Sequence, residues 1–329
     1  MSIFKESLSY RPFKHPWAVE AAKKHTIDMH WGEHQVELQD DLMQYNSVNG
    51  LKTANVSHAE NKATLDFNLS LFTEMDKSVA QGYTKLLPSI GNNEIRNLLI
   101  TFAAREVVHQ RAYALAAETF GFPDDSWVMF REYVEMQDKI DLLTVETETS
   151  SNFESARLLA TILLGEGIAL FAAFASLLNL KRHGLLMGFN DVNQWSLVDE
   201  QEHVVNNTRI LAEMRKELSE VENNLLDQEI FHLVDSFVSC EVKYIKLLYQ
   251  QGSQEDLTEQ QMIEYIGYLG ELRLFQLGLL TAVEVRVNPL PWMEWLLTGQ
   301  KHDNFFEKKV TDYSHAGLAG EIDYSKYKN

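Results

Sequence analysis

Apolar positions recur every three to four residues through most of this chain, and no stretch alternates with the two-residue period of a strand. The first clear segment opens at Pro16, with proline near its first turn, and runs to about Met29. Trp31 follows, and then a shorter segment around Val36–Leu42. Ser57-His58-Ala59-Glu60 has the form of a capping box. It predicts a long helix through Phe67, Leu69, Leu71, Phe72 and Met75 to about Tyr83, ended by Pro88 and Gly91. Asn92 or Asn93 opens the next helix, which reaches Thr119 and stops at Gly121 and Pro123. A short amphipathic helix is expected from Asp124 to about Met136, and a polar loop from Thr144 to Asn152. Helices are then expected over Phe153–Arg182, Asn190–Leu218, Leu226–Gln250 and Thr258–Val285. Asn288-Pro289-Leu290-Pro291-Trp292 breaks the pattern, and a short helix reaches about Thr298.

The pattern predicts an all-α fold of one helical domain over residues 1–300, with an N-terminal arm. Residues 301–329 are polar and are expected to form a flexible C-terminal tail. Composition agrees: apolar residues make up 45% of the 329, and there are only six prolines. Four of those prolines lie near the ends, at positions 12, 16, 289 and 291. A net charge of −19 argues against nucleic acid or an anionic membrane as a bound surface. The single cysteine, Cys240, leaves no internal disulfide and no thiolate metal site. The N-terminus lacks a signal-peptide core, so a cytoplasmic protein is expected.

Leu158–Leu180 needs a separate reading, because its one charge is Glu166 and its length could cross a bilayer. A glutamate there would be costly in lipid. The centre of a large bundle also requires a helix that is apolar all round, and that is the reading preferred here.

Chemistry enters with Arg105–Tyr113. At about 100° per residue, Glu106, His109 and Tyr113 sit at roughly 0°, −60° and −20° on one helix face. A carboxylate and an imidazole three apart can bind one ion, and a phenol one turn further can give it an electron. One Glu-x-x-His means little, since exposed salt-linked pairs produce it often. This chain repeats it, as Glu200 to His203. Asp76 and Glu166 add carboxylates inside otherwise apolar helices. Four buried carboxylates would be costly without cations, and only Arg105, Arg111 and Arg157 lie close to them in sequence. Four carboxylates and two histidines on four helices is the ligand set of a carboxylate-bridged dinuclear site in a ferritin-like bundle. Oxygen and imidazole donors suit iron or manganese. Glu202 points away from the Glu200/His203 face and is left out. Asp199 reads as an acceptor for a ligand's second nitrogen, and Trp31 by itself reads as packing.

Taken together these residues resemble the small, radical-generating subunit of class I ribonucleotide reductase, over roughly residues 10–315. The family's ligand order maps onto Asp76, Glu106, His109, Glu166, Glu200 and His203. Its radical tyrosine, four residues after the first histidine, is Tyr113. The 34-residue step from Glu166 to Glu200 is similar, as is Arg286-Val287-Asn288-Pro289-Leu290-Pro291-Trp292. The resemblance implies a dinuclear centre of iron and/or manganese that generates a tyrosyl radical. A large catalytic subunit then uses the radical to reduce ribonucleotides to deoxyribonucleotides. It further implies a radical-transfer route from His109 through Asp199 and Trp31 to a tail tyrosine, Tyr313, Tyr324 or Tyr327. A homodimer is expected, and a flavodoxin-like activating protein is a candidate partner. Leu170 and Ser196 stand where relatives often carry phenylalanine and isoleucine, so the tyrosine pocket is expected to be more polar or differently packed. The alternative weighed is a ferritin-like oxidase or oxygenase acting on a small organic substrate. A metal-storage protein, and a helical or membrane protein with unrelated acids, are more distant rivals.

Overall fold

A computed structural model describes residues 2–123, 133–144 and 149–296. It divides into two compact units, Met1–Leu290 and Pro291–Asn329. The helices of the first unit are α1 (Pro16–Lys23), α2 (Gln39–Asn46), α3 (His58–Leu86), α4 (Asn93–Phe120), α5 (Val134–Leu143), α6 (Asn152–Leu164), α7 (Phe171–Arg182), α8 (Met187–Arg215), α9 (Glu220–Gln251) and α10 (Glu259–Gln276). No strand occurs among the described residues. In the second unit residues 291–296 are helical. The helix expected over Asp124–Met136 falls mostly outside the described residues, as does the tail from residue 301.

Local chemistry accounts for several helix ends. Ser57 accepts from the Glu60 N–H and Glu60 accepts from the Ser57 N–H, so the capping box at α3 is formed. Asn92 caps α4 through the Ile95 N–H at 3.0 Å. Gly121 ends it with φ +79°, a conformation that costs glycine little. Each such cap is worth about 1 kcal/mol. Two ends differ most from expectation, while the helix expected over Asn190–Leu218 runs three residues earlier at both ends, Met187–Arg215. The α9 helix begins at Glu220 because Ser219 and Glu222 form another capping box. The α10 helix stops at Gln276, short of Val285, with Gly278 at φ +77° just beyond.

Two expected helices are interrupted by π turns. The first helix is α-helical only to Lys23, and Lys24–Asp28 form a π turn in which the Met29 N–H bonds the Lys24 carbonyl at 3.0 Å. The helix carrying Glu166 is split by a π turn at Gly165–Ala169. The Arg273 guanidinium of α10, fully buried, donates to the Gly167 carbonyl at 3.0 Å. A Cβ at Gly167 would lie 2.7 Å from that guanidinium, so glycine is what allows the approach. Short π turns inside helices often mark functional sites.

The α3 and α4 helices pack side by side; α8 packs on α4 and on α6 and α7, and α6 and α7 return to α3. These four rods enclose the centre of the unit, with α9 covering α6 and α10 covering α9. Every residue of Leu158–Leu180 is buried in this bundle. That burial accounts for its all-round apolar surface without a membrane.

Candidate metal centre

The six residues expected as ligands come from the four enclosing rods. Asp76 lies on α3, Glu106 and His109 on α4, Glu166 in the π turn, and Glu200 and His203 on α8. All six are at most 1% exposed. They form two overlapping groups: Asp76, Glu106, His109 and Glu200, and then Glu106, Glu166, Glu200 and His203. Within each group the donor atoms lie within 4.8 Å of one another.

Glu106 and Glu200 belong to both groups, and their oxygens are shared out between them. His109 Nδ1 lies 3.3 Å from Glu106 Oε2 and 3.2 Å from Glu200 Oε1. His203 Nδ1 lies 3.2 Å from Glu106 Oε1, 3.3 Å from Glu200 Oε2 and 3.0 Å from Glu166 Oε1. Each of the two glutamates thus offers one oxygen to each half, the disposition of a bridging carboxylate.

The donor set fits a pair of cations. Both oxygens of Glu106 and of Glu200, and Asp76 Oδ2, are buried and take no well-aligned hydrogen bond among the described residues. Several unsatisfied buried oxygens are costly for a protein with no use for them. Burial pushes Glu166 up to about 8, against the opposing pull of His203. Burial also raises Asp76 well above the usual carboxylate range. His109 and His203 outweigh burial at Glu106 and hold it at about 2.

Tyr113 is fully buried one turn beyond His109, edge-on to Phe189. Burial pushes its phenol well up, the charge of Asp76 adds to this, and the Ser196 hydroxyl opposes it. Ser196 therefore does bring a polar group to this pocket. Leu170 and Phe174 are both buried at 1% exposure.

Asp199 and Trp31 join the site from behind His109. His109 Nε2 is 3.1 Å from Asp199 Oδ2, and the Trp31 indole N–H donates to that same oxygen at 2.8 Å. The two rings stack at 5.6 Å and 15°. Trp31 thus has a specific polar partner as well as a packing role. Arg105 reaches Asp199 at 3.4 Å and donates to the carbonyls of Trp31, His25 and Met29. Glu202 points outward to Lys24, in keeping with its omission. Arg111 and Arg157 serve outlying acids, Glu33 and Glu154. Tyr313, Tyr324 and Tyr327 lie outside the described residues.

Three neighbours of the centre were not picked out from the sequence. The Tyr83 phenol sits 2.7 Å from both oxygens of Glu166. Asn207 donates to the Tyr83 oxygen at 2.7 Å and to Glu166 at 3.1 Å. His25 meets His203. Tyr83 follows Asp76 by seven residues and Asn207 follows His203 by four, so helical periodicity places both on ligand faces. No such rule marks His25.

A helical bundle around a buried carboxylate–histidine cluster defines a protein of the ferritin-like dinuclear class. The comparisons narrow it. The model of "Ribonucleotide reductase, small chain" matches residues 7–289, and the chain belongs to that family. A probable ribonucleoside-diphosphate reductase small subunit, 048L, of Invertebrate iridescent virus 3 is 29% identical, over 98% of this chain and 88% of that protein. The ribonucleoside-diphosphate reductase subunit beta of Chlamydia pneumoniae is 26% identical, over 93% and 90%. Among solved structures, the ribonucleotide reductase R2 subunit from Clostridium botulinum superposes with a TM-score of 0.76. It is 19% identical and covers 86% of this chain and 89% of its own. The dimanganese(II)-NrdF of Streptococcus sanguinis gives 0.71 at 15% identity, over 87% and 99%. These two show the shared fold. The chain is thus a small subunit of a ribonucleoside-diphosphate reductase, an oxidoreductase whose partner is a large subunit. The oxidase alternative is not favoured.

Proposed function

We propose that Asp76, Glu106, His109 and Glu200 hold one metal ion, that Glu106, Glu166, Glu200 and His203 hold a second, and that Tyr113 stores the radical delivered to the large subunit. The observation that carries this reading is the sharing of Glu106 and Glu200, one oxygen toward each histidine. Iron and manganese both suit four carboxylates and two imidazoles. When bound, such ions supply a redox couple able, with an oxygen species, to take an electron from a nearby phenol.

The chain's own residues do the rest. The bundle excludes water from Tyr113, which protects a radical there from reduction. Asp76 and Ser196 set the polarity around its phenol. Asp199 holds the Trp31 indole proton and the His109 Nε2 proton on one oxygen. An electron leaving Trp31 therefore moves with its proton already hydrogen-bonded. Arg105 balances the charge of Asp199 and fixes the backbone that carries Trp31. Tyr313 or Tyr324 of the tail extends the route, and residues 301–329 dock on the large subunit.

Assembly follows the same reading. Ile100, Ala104 and Val107 form an exposed stripe on α4 at helical spacing, which supports a homodimer built on that helix. The protein acts in the cytoplasm, where a flavodoxin-like protein is the candidate activator of a manganese form.

The test is metal analysis with electron paramagnetic resonance on protein loaded with iron, manganese or both and exposed to oxygen. About two ions per chain and a tyrosyl signal that vanishes in Tyr113→Phe are expected. Bound ions with no radical under any loading, even with an activating flavoprotein, would return the oxidase reading. No stoichiometric metal would overturn the site.

A further inference from the structure

Each histidine of the centre has one nitrogen turned to the carboxylates and one turned away. The two that face away meet different chemistry. His109 Nε2 meets a carboxylate, Asp199, at 3.1 Å. His203 Nε2 meets another imidazole nitrogen, His25 Nε2, at 3.0 Å. Two imidazole nitrogens at that distance bond only if one carries a proton and the other does not. A metal-binding Nδ1 has no proton, so Nε2 of His203 must be the donor and His25 the acceptor.

Several features hold His25 at this point. It is 2% exposed and comes from the π turn after α1, where the wider turn departs from the α-helical register. Arg105 donates to its carbonyl at 3.1 Å. Its ring lies edge-on to Phe102 at 5.1 Å and 4.9 Å from the His203 ring. His25 Nε2 is also 3.9 Å from Asp199 Oδ1. The single guanidinium of Arg105 therefore fixes the backbone behind both outer partners, Trp31 and His25.

We infer that His25 is a positioning residue that holds His203 in its Nε2–H tautomer, so that Nδ1 is presented to the ion on that side. This rests on the two-ion reading above. It has a consequence for the asymmetry of the pair. A carboxylate acceptor makes its histidine a stronger base than a neutral imidazole acceptor does. The His109 half is thus the more strongly donating of the two, and the His203 half depends on His25.

The experiment is Mn2+ titration of the full chain by calorimetry, with pulsed electron paramagnetic resonance reading the nitrogen couplings of bound Mn2+. Wild type, His25→Leu and His25→Gln are compared, after circular dichroism has shown each to be folded. Wild type is expected to bind two ions with two distinct imidazole couplings. Losing an outer hydrogen-bond partner of this kind weakens metal binding about 10–100-fold, so His25→Leu should lose one ion by that factor and keep the other. The glutamine carbonyl can accept the same N–H, and His25→Gln should return the second ion to within about threefold. Two ions with unchanged affinity and couplings in His25→Leu would overturn the inference. So would equal loss in the folded leucine and glutamine variants, since that indicates packing alone. Failure of wild type to bind Mn2+ would instead overturn the two-ion reading itself.

Discussion

Glu166→Gln separates a ligand from a structural acid. In the metal-free protein burial pushes Glu166 up to about 8, so near neutral pH it is mostly protonated. Glutamine has nearly the shape of a protonated glutamate and can keep the contact with Tyr83. The metal-free variant should therefore match wild type within about 1 kcal/mol, the scale of one neutral hydrogen bond. Metal changes the comparison. An ion at a hundred times its dissociation constant stabilises the fold by about 2.7 kcal/mol, and two ions by roughly twice that. At roughly 2 °C per kcal/mol, the low end for large domains, wild type should gain about 10 °C on loading with Mn2+. Glu166 belongs only to the His203 half, so Glu166→Gln should gain about half as much and hold about one ion per chain. The assay is differential scanning calorimetry with and without Mn2+, paired with metal analysis by mass spectrometry. Two results would refute the reasoning: a metal-free variant that melts more than about 6 °C below wild type, or a Mn2+ shift equal to that of wild type.

Three further outcomes follow from other contacts. Trp31→Phe removes the indole donor to Asp199 and should cost about 1–3 kcal/mol by denaturant unfolding; metal content should stay the same while turnover with the large subunit falls at least a hundredfold. Lys139 and Glu241 form a fully buried ion pair. Lys139→Met or Glu241→Gln alone should cost about 3–5 kcal/mol in urea unfolding, and the double substitution should recover most of it. Glu60, at the start of α3, is held at about 2 by hydrogen bonds from Ser57 and Ser253. A depressed carboxylate stabilises the fold above its unfolded value and loses that contribution as pH falls through the folded one. Glu60→Gln should therefore show a shallower loss of stability than wild type between about pH 4.5 and 2, measured by circular dichroism.

Much of this molecule follows from rules that act within one helix. Period 3.6 marks the rods, capping residues mark half of their starts, and the spacing of three places each Glu-x-x-His pair on one face. An apolar run holding only Glu166 can be read as a central rod because a lone acid there is costly without a cation. Helical spacing would also have reached Tyr83 and Asn207, had it been followed outward from Asp76 and His203. The rest depends on meetings between distant segments. The π turns at Lys24–Asp28 and Gly165–Ala169 receive hydrogen bonds from distant helices, through Arg105 and Arg273, and only the second carries a local mark, the two glycines beside Glu166. Trp31 reads as packing from its own neighbours, and only the family resemblance links it to Asp199; the fold is what sets that residue, 168 positions away, beneath its indole nitrogen. His25 carries no signal in its neighbours, because its role exists only where His203 turns a nitrogen toward it across 178 residues of chain. The sequence determined which helices form and which faces carry the acids and imidazoles, because those are local periodicities. Only the tertiary structure decided which nitrogen faces which oxygen, because hydrogen-bond partners are chosen by packing between helices.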